Sequence, residues 1–368
     1  MKESVVLLTS FIFYLCIFKN DYIPLNIELK VILIPLMSFL TVMLTFLKKK
    51  NIQISFQYEF IKKALIEFLF FLLISLLYAK IMKDYFGQHI FSYYFSDILI
   101  FSPILVIFYF ILIVLGYKNR LDIIFYGNKK ILSLKFLVKV FFLPFIYGSV
   151  SICLTGLLVI DSFNINQINY YFYLIGLTFD VVIALFGYTF VSNWFSNNVK
   201  SVDDSLAGWA ICLFCYPPFL YFYQILLAQV DNFTWGEWAK NQWFYYPWLI
   251  LIITTWLLYW FSHAHLGFKF SNLTWRGLVD QGLYKYFRHP AYLFKNIYWW
   301  AYTVPFFGVM GFDLINNFLA MSAISLIYYL RAKTEEKHLL RFPEYQQYYL
   351  WVEKHGFFAK VKKWLKIY

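Results

Sequence analysis

The chain has 368 residues, 61% of them AVILMFWYC and 24% aromatic, against 14% Asp, Glu, Lys and Arg, with a formal charge of +12. A soluble domain carries about a quarter charged residues and a disordered chain is poor in apolar ones, so neither class fits. The apolar residues gather into runs of about 17 to 25, the length a helix needs to cross a hydrocarbon core of about 30 Å.

Hydropathy predicts spans near 5–18, 31–47, 64–82, 97–116, 136–160, 171–191, 206–228, 246–263, 291–311 and 314–330. The runs are continuously apolar, whereas barrel strands would alternate, so the predicted fold is an all-α polytopic transmembrane bundle of about 10 spans. Lys2 followed by the apolar stretch Val5 to Phe18 imitates a signal peptide. No small-residue cleavage site follows it, so it reads as a short first span or signal anchor.

With the N-terminus cytoplasmic, 27 of the 32 Lys and Arg fall on the cytoplasmic face, and only Lys19, Lys30, Lys80, Lys83 and Lys240 fall on the other. The positive-inside rule therefore places both termini in the cytoplasm of a multi-pass membrane protein, in a bacterial inner membrane or alternatively the endoplasmic reticulum. The net charge is then mainly topological, with added attraction of Lys360, Lys362, Lys363 and Lys366 to anionic membrane lipids. It does not point to nucleic acid. The polar stretch Asp161 to Asn169 divides a five-span region of unknown role, 1–168, from a five-span core with a cytoplasmic tail, 169–368. Cys16, Cys153, Cys212 and Cys215 all lie in apolar runs, and the Cys212/Cys215 pair reads as packing rather than redox or metal chemistry.

The chemically suggestive residues cluster late in the chain. Gly282 to Tyr292 reads G-L-Y-K-Y-F-R-H-P-A-Y, and Pro290 suits the first turn of the ninth span. Its free N–H groups and positive dipole end would make an anion site on the cytoplasmic side. From Pro290 the chain should rise for about 22 residues, or about 33 Å, to Phe312. It then turns, with Asp313 the expected N-cap, and descends an equal length to Arg331. Matched arms bring Arg288-His289-Pro290 level with Arg331-Ala-Lys-Thr-Glu335-Glu336. Two carboxylates, a guanidinium, an imidazole, a helix start and the rings of Tyr284, Tyr286 and Tyr292 suit a ligand carrying both a cation and an anion. Taken singly, the same residues read as snorkelling anchors, an i, i+4 pair and an aromatic belt.

The order G-L-Y-K-Y-F-R-H-P-A-Y, an apolar hairpin, R-x-x-x-E-E-x-x-L from Arg331 to Leu339, F-P-E-Y-Q-Q-Y from Phe342 to Tyr348, and Val352 resembles the C-terminal core of the isoprenylcysteine carboxyl methyltransferase and phospholipid methyltransferase families. The resemblance covers roughly residues 170 to 356, with specific motifs in 272–356. It implies S-adenosylmethionine bound on the cytoplasmic side and a lipophilic small-molecule or lipid acceptor entering sideways from the bilayer. It also implies that Tyr284, Tyr286, Arg288, His289, Pro290 and Tyr292, with Glu335 and Glu336, line the cofactor pocket. Arg331 and Glu335 become the catalytic candidates, Arg331 either orienting Glu335 or meeting the acceptor.

The family members that act on prenylated cysteine carry an arginine on the preceding helix, and this chain has no Lys or Arg from Asn241 to Phe268. His263 and His265 are the only possible cations there, read as interfacial or substrate contacts; no metal site is expected from two histidines without a third ligand. Asp180, midway along the sixth span, is a costly intramembrane carboxylate, either functional or neutral and hydrogen-bonded to a neighbouring helix. Asn193, Asn197, Asn198, Asp203 and Asp204 read most simply as a solvated loop, though they are near enough in sequence to roof the pocket, and Asn232-Phe233-Thr234 is a formal glycosylation triplet. The competing functions are a sterol-type reductase using NADPH, and a transporter or scaffold that retains a ligand pocket.

Overall fold

The computed structural model describes residues 2–19, 25–47, 58–114, 129–160, 167–189, 191, 195–230 and 235–365. Asn193, the Asn232 to Thr234 triplet, Lys366, most of the 161–169 stretch and the lysines of the 48–50 and 115–128 segments lie outside them. The protein is an all-α polytopic bundle, and within the described residues the only strands are the two-residue β1 (Ser201–Val202) and β2 (Thr274–Trp275), paired antiparallel. Among the described residues seven helical segments are long and apolar enough to cross a bilayer: Ile27–Thr45, Ile61–Asp84, Ile90–Ile111, Ile131–Val159, Tyr170–Thr189, Tyr245–Lys269 and Gly311–Leu339. The chain is an integral membrane protein.

The described chain forms two compact units, one of residues 1–202 with 266–277 and one of 203–265 with 278–368. The sequence puts its division at 161–169, whereas the units part after Val202.

The first unit contains α1 (Lys2–Lys19), α2 (Ile27–Leu47), α3 (Tyr58–Asp84), α4 (Ile90–Val114), α5 (Lys129–Val159) and α6 (Ile168–Thr189). One core joins α3, α4 and α5 through Phe71, Met82, Phe91, Tyr94 and Val140. Polar groups inside it are paired with each other: Ser75 with the Tyr94 hydroxyl at 2.8 Å, and the Tyr147 hydroxyl donating to Asp97 at 2.9 Å. A second core, of Cys153, Leu157 and Leu174, joins α5 to α6. Asp180 is half-buried on α6. The returning segment 266–277 is tied in by Arg276, which donates to the carbonyls of Gly187 and Phe268, and by Asn197, which donates to Phe268 at 3.1 Å. Asn197 is thus buried in this unit and not part of a solvated loop.

The second unit contains α7 (Leu206–Phe214), α8 (Leu220–Leu227), α9 (Trp235–Trp238), α10 (Tyr245–Leu266), α11 (Pro290–Thr303), α12 (Gly311–Leu339), α13 (Pro343–His355) and α14 (Phe357–Trp364). The expected span 206–228 is broken between α7 and α8, where Pro217 and Pro218 offer no N–H to a helix ladder. The expected 5–18 span is present as the shorter apolar helix Ser4–Lys19.

The terminal hairpin is unequal, contrary to the matched arms expected from the sequence: α11 has 14 residues and α12 has 29. Pro305 disfavours a right-handed helical residue before it, and α11 ends at Thr303. Val304, in the left-handed region (φ 46°), caps α11. Asp313 is not the N-cap of α12, which is Met310; it lies in the first turn, where its charge still complements the helix dipole.

The antiparallel register nevertheless keeps the start of α11 level with the end of α12. Ser325 donates to Asn296 at 2.9 Å and accepts from Trp300 Nε1 at 2.8 Å, and Thr303 reaches Met321 Sδ at 3.6 Å. Followed back toward the start of α11, that register sets Tyr292 and His289 against Glu335 and Glu336. The surplus length of α12 lies at its other end, where Asn317 accepts from Val230 N at 3.2 Å. On α11's second side, α10 runs antiparallel, with Trp256 on Tyr298 at 4.4 Å and Trp248 Nε1 donating to Ala301 at 2.8 Å.

Candidate functional site

Pro290 begins α11, and His289 before it is the N-cap but makes no side-chain capping bond. The first-turn N–H groups have no acceptor inside the helix, so the dipole end is directed toward the cluster formed with α12. On α12, Arg331 and Glu335 are four residues apart and Glu336 is rotated by about 100° from Glu335, so the two carboxylates face different partners.

Glu336 is buried, and its carboxylate meets two cations, Arg288 Nε at 2.9 Å and Lys333 Nζ at 3.0 Å, with His289 Nε2 at 3.3 Å. Arg288 also lies 4.0 Å from the centre of the Tyr349 ring on α13, so it is clamped between a carboxylate and an aromatic face. The His289 approach lacks hydrogen-bond alignment, and Nε2 remains a buried atom without a hydrogen-bond partner. Glu335 differs in environment. Its side chain is 43% exposed, it accepts one hydrogen bond from the Tyr292 hydroxyl at 3.1 Å, and His289 Nδ1 is 3.8 Å away.

An aromatic column runs from this cluster into the helix bundle. His289 stacks on Tyr292 (5.6 Å), Tyr292 stacks on Tyr328 (6.1 Å), and the Tyr328 hydroxyl bonds that of Tyr223 on α8. Arg331 is buried beside the column, 5.0 Å from the Tyr292 ring centre and 5.5 Å from that of Tyr216, with Cys212 Sγ at 3.9 Å. Its guanidinium thus faces aromatic rings and a thiol on the bundle side, while Glu335 faces outward.

Of the nine residues singled out in the sequence, Arg288, His289, Tyr292, Glu335 and Glu336 meet in one cluster, Pro290 supplies the helix start and Arg331 adjoins through Tyr292. Tyr284 and Tyr286 are placed differently. Tyr284 is buried, and its carbonyl accepts from Tyr348 at 2.7 Å; Tyr286 is exposed, its carbonyl accepts from Phe357 N at 3.0 Å and its ring lies under Lys360 at 5.7 Å. Both tie the 282–289 segment to α13 and α14. Burial raises the hydroxyls of Tyr284, Tyr345 and Tyr348 above the ordinary phenol value, so all three are neutral groups at physiological pH.

Three participants escape a sequence reading centred on motifs. Lys333 was legible, since it lies three residues before Glu336 on a helix. Tyr349 and Tyr348 were not, because only the packing of α13 selects which of the many tyrosines meets Arg288 or the 284–287 carbonyls. Of the polar loop, Asp204 pairs with Arg341 at 2.9 Å, and Asp203 holds the start of α7 by accepting from Ser205 N at 2.9 Å. His263 is buried edge-on against Tyr259 at 4.5 Å, and His265 meets the Phe261 carbonyl through Nδ1 at 2.6 Å. Among the described residues no three His, Cys, Asp or Glu side chains gather into a metal-binding set.

Residues 223–350 match the family described as a protein of unknown function (DUF1295). The match is consistent with a membrane enzyme class and does not single out isoprenylcysteine carboxyl methyltransferase. The matched stretch contains every clustered residue, from Arg288 to Glu336. No curated protein and no solved structure matches the chain.

Proposed function

We propose that the protein is an integral membrane methyltransferase that uses S-adenosylmethionine to methylate a lipophilic acceptor, an isoprenylcysteine-like carboxylate or a lipid. The observation that carries this reading is the division of labour at the α11 start: a cation-saturated Glu336 beside a half-exposed Glu335, with a buried, unbonded His289 Nε2 between them. These donors fit the cofactor's groups. Glu335 and the Tyr292 face suit its ammonium and sulfonium, and the free N–H groups of α11 with His289 suit its carboxylate. When bound, S-adenosylmethionine supplies an electrophilic methyl group to a nucleophile in line with the sulfur.

The chain's own contribution is orientation and exclusion of water. Glu336 fixes Arg288; Tyr292 fixes Glu335 through its hydroxyl and His289 through its ring. Arg331, buried on the bundle side of Tyr292, is placed to hold an anionic acceptor headgroup arriving from the bilayer. Positioning of this kind supplies most of the rate for a displacement that needs little covalent help.

Calorimetry of the full chain in nanodiscs tests the reading. S-adenosylmethionine or its demethylated product should bind, with NADPH silent. Binding of NADPH alone transfers the site to sterol-type reductase chemistry, and binding of neither leaves a transporter or scaffold. Transfer of labelled methyl into native membrane lipids would then identify the acceptor. The proposal also requires a cytoplasmic site, so a reporter fused after Tyr368 should be cytoplasmic; an external reporter would separate the cluster from cytosolic cofactor.

A further inference from the structure

The α14 helix is short, follows the site directly, and takes no part in the cluster around Glu336. At about 100° per residue, Phe357, Phe358, Val361, Trp364 and Leu365 fall within an arc of about 120°. Lys360 and Lys362 stand on its two flanks and Lys363 opposite. The apolar side is largely open: Phe358 is 58% exposed, Leu365 51% and Trp364 81%.

The position of this helix along the membrane normal follows from its neighbours. Phe357 N donates to the Tyr286 carbonyl at 3.0 Å, the Phe357 ring packs on Phe287 at 5.2 Å, and Tyr286 precedes the α11 start by four residues. The last turns of α12, which meet the α11 start, carry Arg331, Lys333, Glu335, Glu336 and Lys337, and charges at that density are too costly for the hydrocarbon core. Those turns therefore emerge at headgroup level, and α14 is held at the same level.

We propose that α14 is an interfacial helix that binds the anionic phosphate headgroups of the bilayer through its flanking lysines, its apolar side lying among the upper acyl chains. An exposed Trp-Leu-Phe face edged by cations at headgroup level has the chemistry of an anionic lipid surface. Because α14 is hydrogen-bonded to Tyr286 and packed on Phe287, lipid binding also steadies the segment that carries Arg288 and His289. The membrane contact stands independently of which cofactor the site takes.

Amide hydrogen exchange of the full chain tests it in nanodiscs of phosphatidylcholine alone or mixed with phosphatidylglycerol. Exchange over 357–365 should slow when phosphatidylglycerol is present, by about fivefold per lysine and on the order of 100-fold for three. High salt should abolish the difference. Lys362→Gln/Lys363→Gln, which leaves Lys360 over Tyr286, should lose about 25-fold of that protection. Trp364→Ala should speed exchange in both lipids, and exchange over 284–289 should follow the same order. Equal exchange over 357–365 in the two lipids at low salt overturns the proposal. So does protection that depends on the number of chains per disc and not on lipid charge, which would make the face a protein contact.

Discussion

Glu336→Gln is the most informative single change at the cluster, because it alters charge with little change in shape. The native carboxylate is 6% exposed and meets Arg288 at 2.9 Å, Lys333 at 3.0 Å and His289 at 3.3 Å. The amide can still accept from Arg288 with its oxygen, but its NH2 then faces the Lys333 ammonium, donor against donor. Breaking a fully buried ion pair costs about 3 to 5 kcal/mol. Here Arg288 is 24% exposed and Lys333 43%, so water recovers part of that, and about 1.5 to 3 kcal/mol remains. If Arg288 and His289 must be held for ligand to bind, the loss appears as roughly 10- to 150-fold weaker S-adenosylmethionine affinity. Calorimetry in nanodiscs reads the affinity, and thermal unfolding of the same sample shows that the variant is folded. His289→Ala should weaken binding comparably. Wild-type affinity in both folded variants would refute a pocket between residues 284–292 and 331–336.

Tyr292→Phe keeps the stacks on His289 and Tyr328 and deletes only the 3.1 Å bond to Glu335; affinity should fall about 2- to 10-fold, and a loss as large as that of Tyr292→Ala would show that the ring is displaced. Gly282 has φ +60°, and a Cβ there would strike the His265 ring, so Gly282→Ala should cost about 1 to 3 kcal/mol in thermal unfolding, with part regained in the Gly282→Ala/His265→Ala double variant. Without that partial recovery the His265 clash is not the cause. The buried hydroxyls of Tyr284, Tyr345 and Tyr348 stay neutral in the fold and ionise near the ordinary value of about 10 when it opens, so their contribution is complete below about pH 10 and lost as pH rises above it. Tyr348→Phe should lower stability by about 1 kcal/mol at neutral pH by deleting the bond to the Tyr284 carbonyl, and should flatten the alkaline decline; an unchanged slope would remove Tyr348 from that account.

Membrane class and most spans are written in local composition, because a 20-residue apolar run needs no partner to declare itself. Seven long helices coincide with seven of the ten expected spans for that reason. The exceptions carry local signals as well: Pro217-Pro218 divides one expected span and Pro305 shortens another, and hydropathy averaged over a window passes across both. The pairing of R-H-P with E-E is also legible in the sequence, although matched arms are not its cause. The register set by Asn296, Trp300 and Ser325 aligns the ends despite helices of 14 and 29 residues.

The sequence by itself therefore determined that this chain is helical, lies in a membrane and places a cluster of ionisable residues beside a helix start. Only the tertiary structure decided how those residues divide. Glu335 and Glu336 are adjacent and chemically alike, and no local pattern separates them; their roughly 100° offset on α12 sends one to Arg288 and Lys333 and the other to the Tyr292 hydroxyl and solvent. Tyr284 and Tyr286 are likewise equivalent in sequence, yet one is buried under α13 and the other lies exposed beneath Lys360. Periodicity and composition are properties of one segment, whereas the environment of a carboxylate or phenol is set by the neighbouring helices, whose contacts are fixed only when the chain has packed.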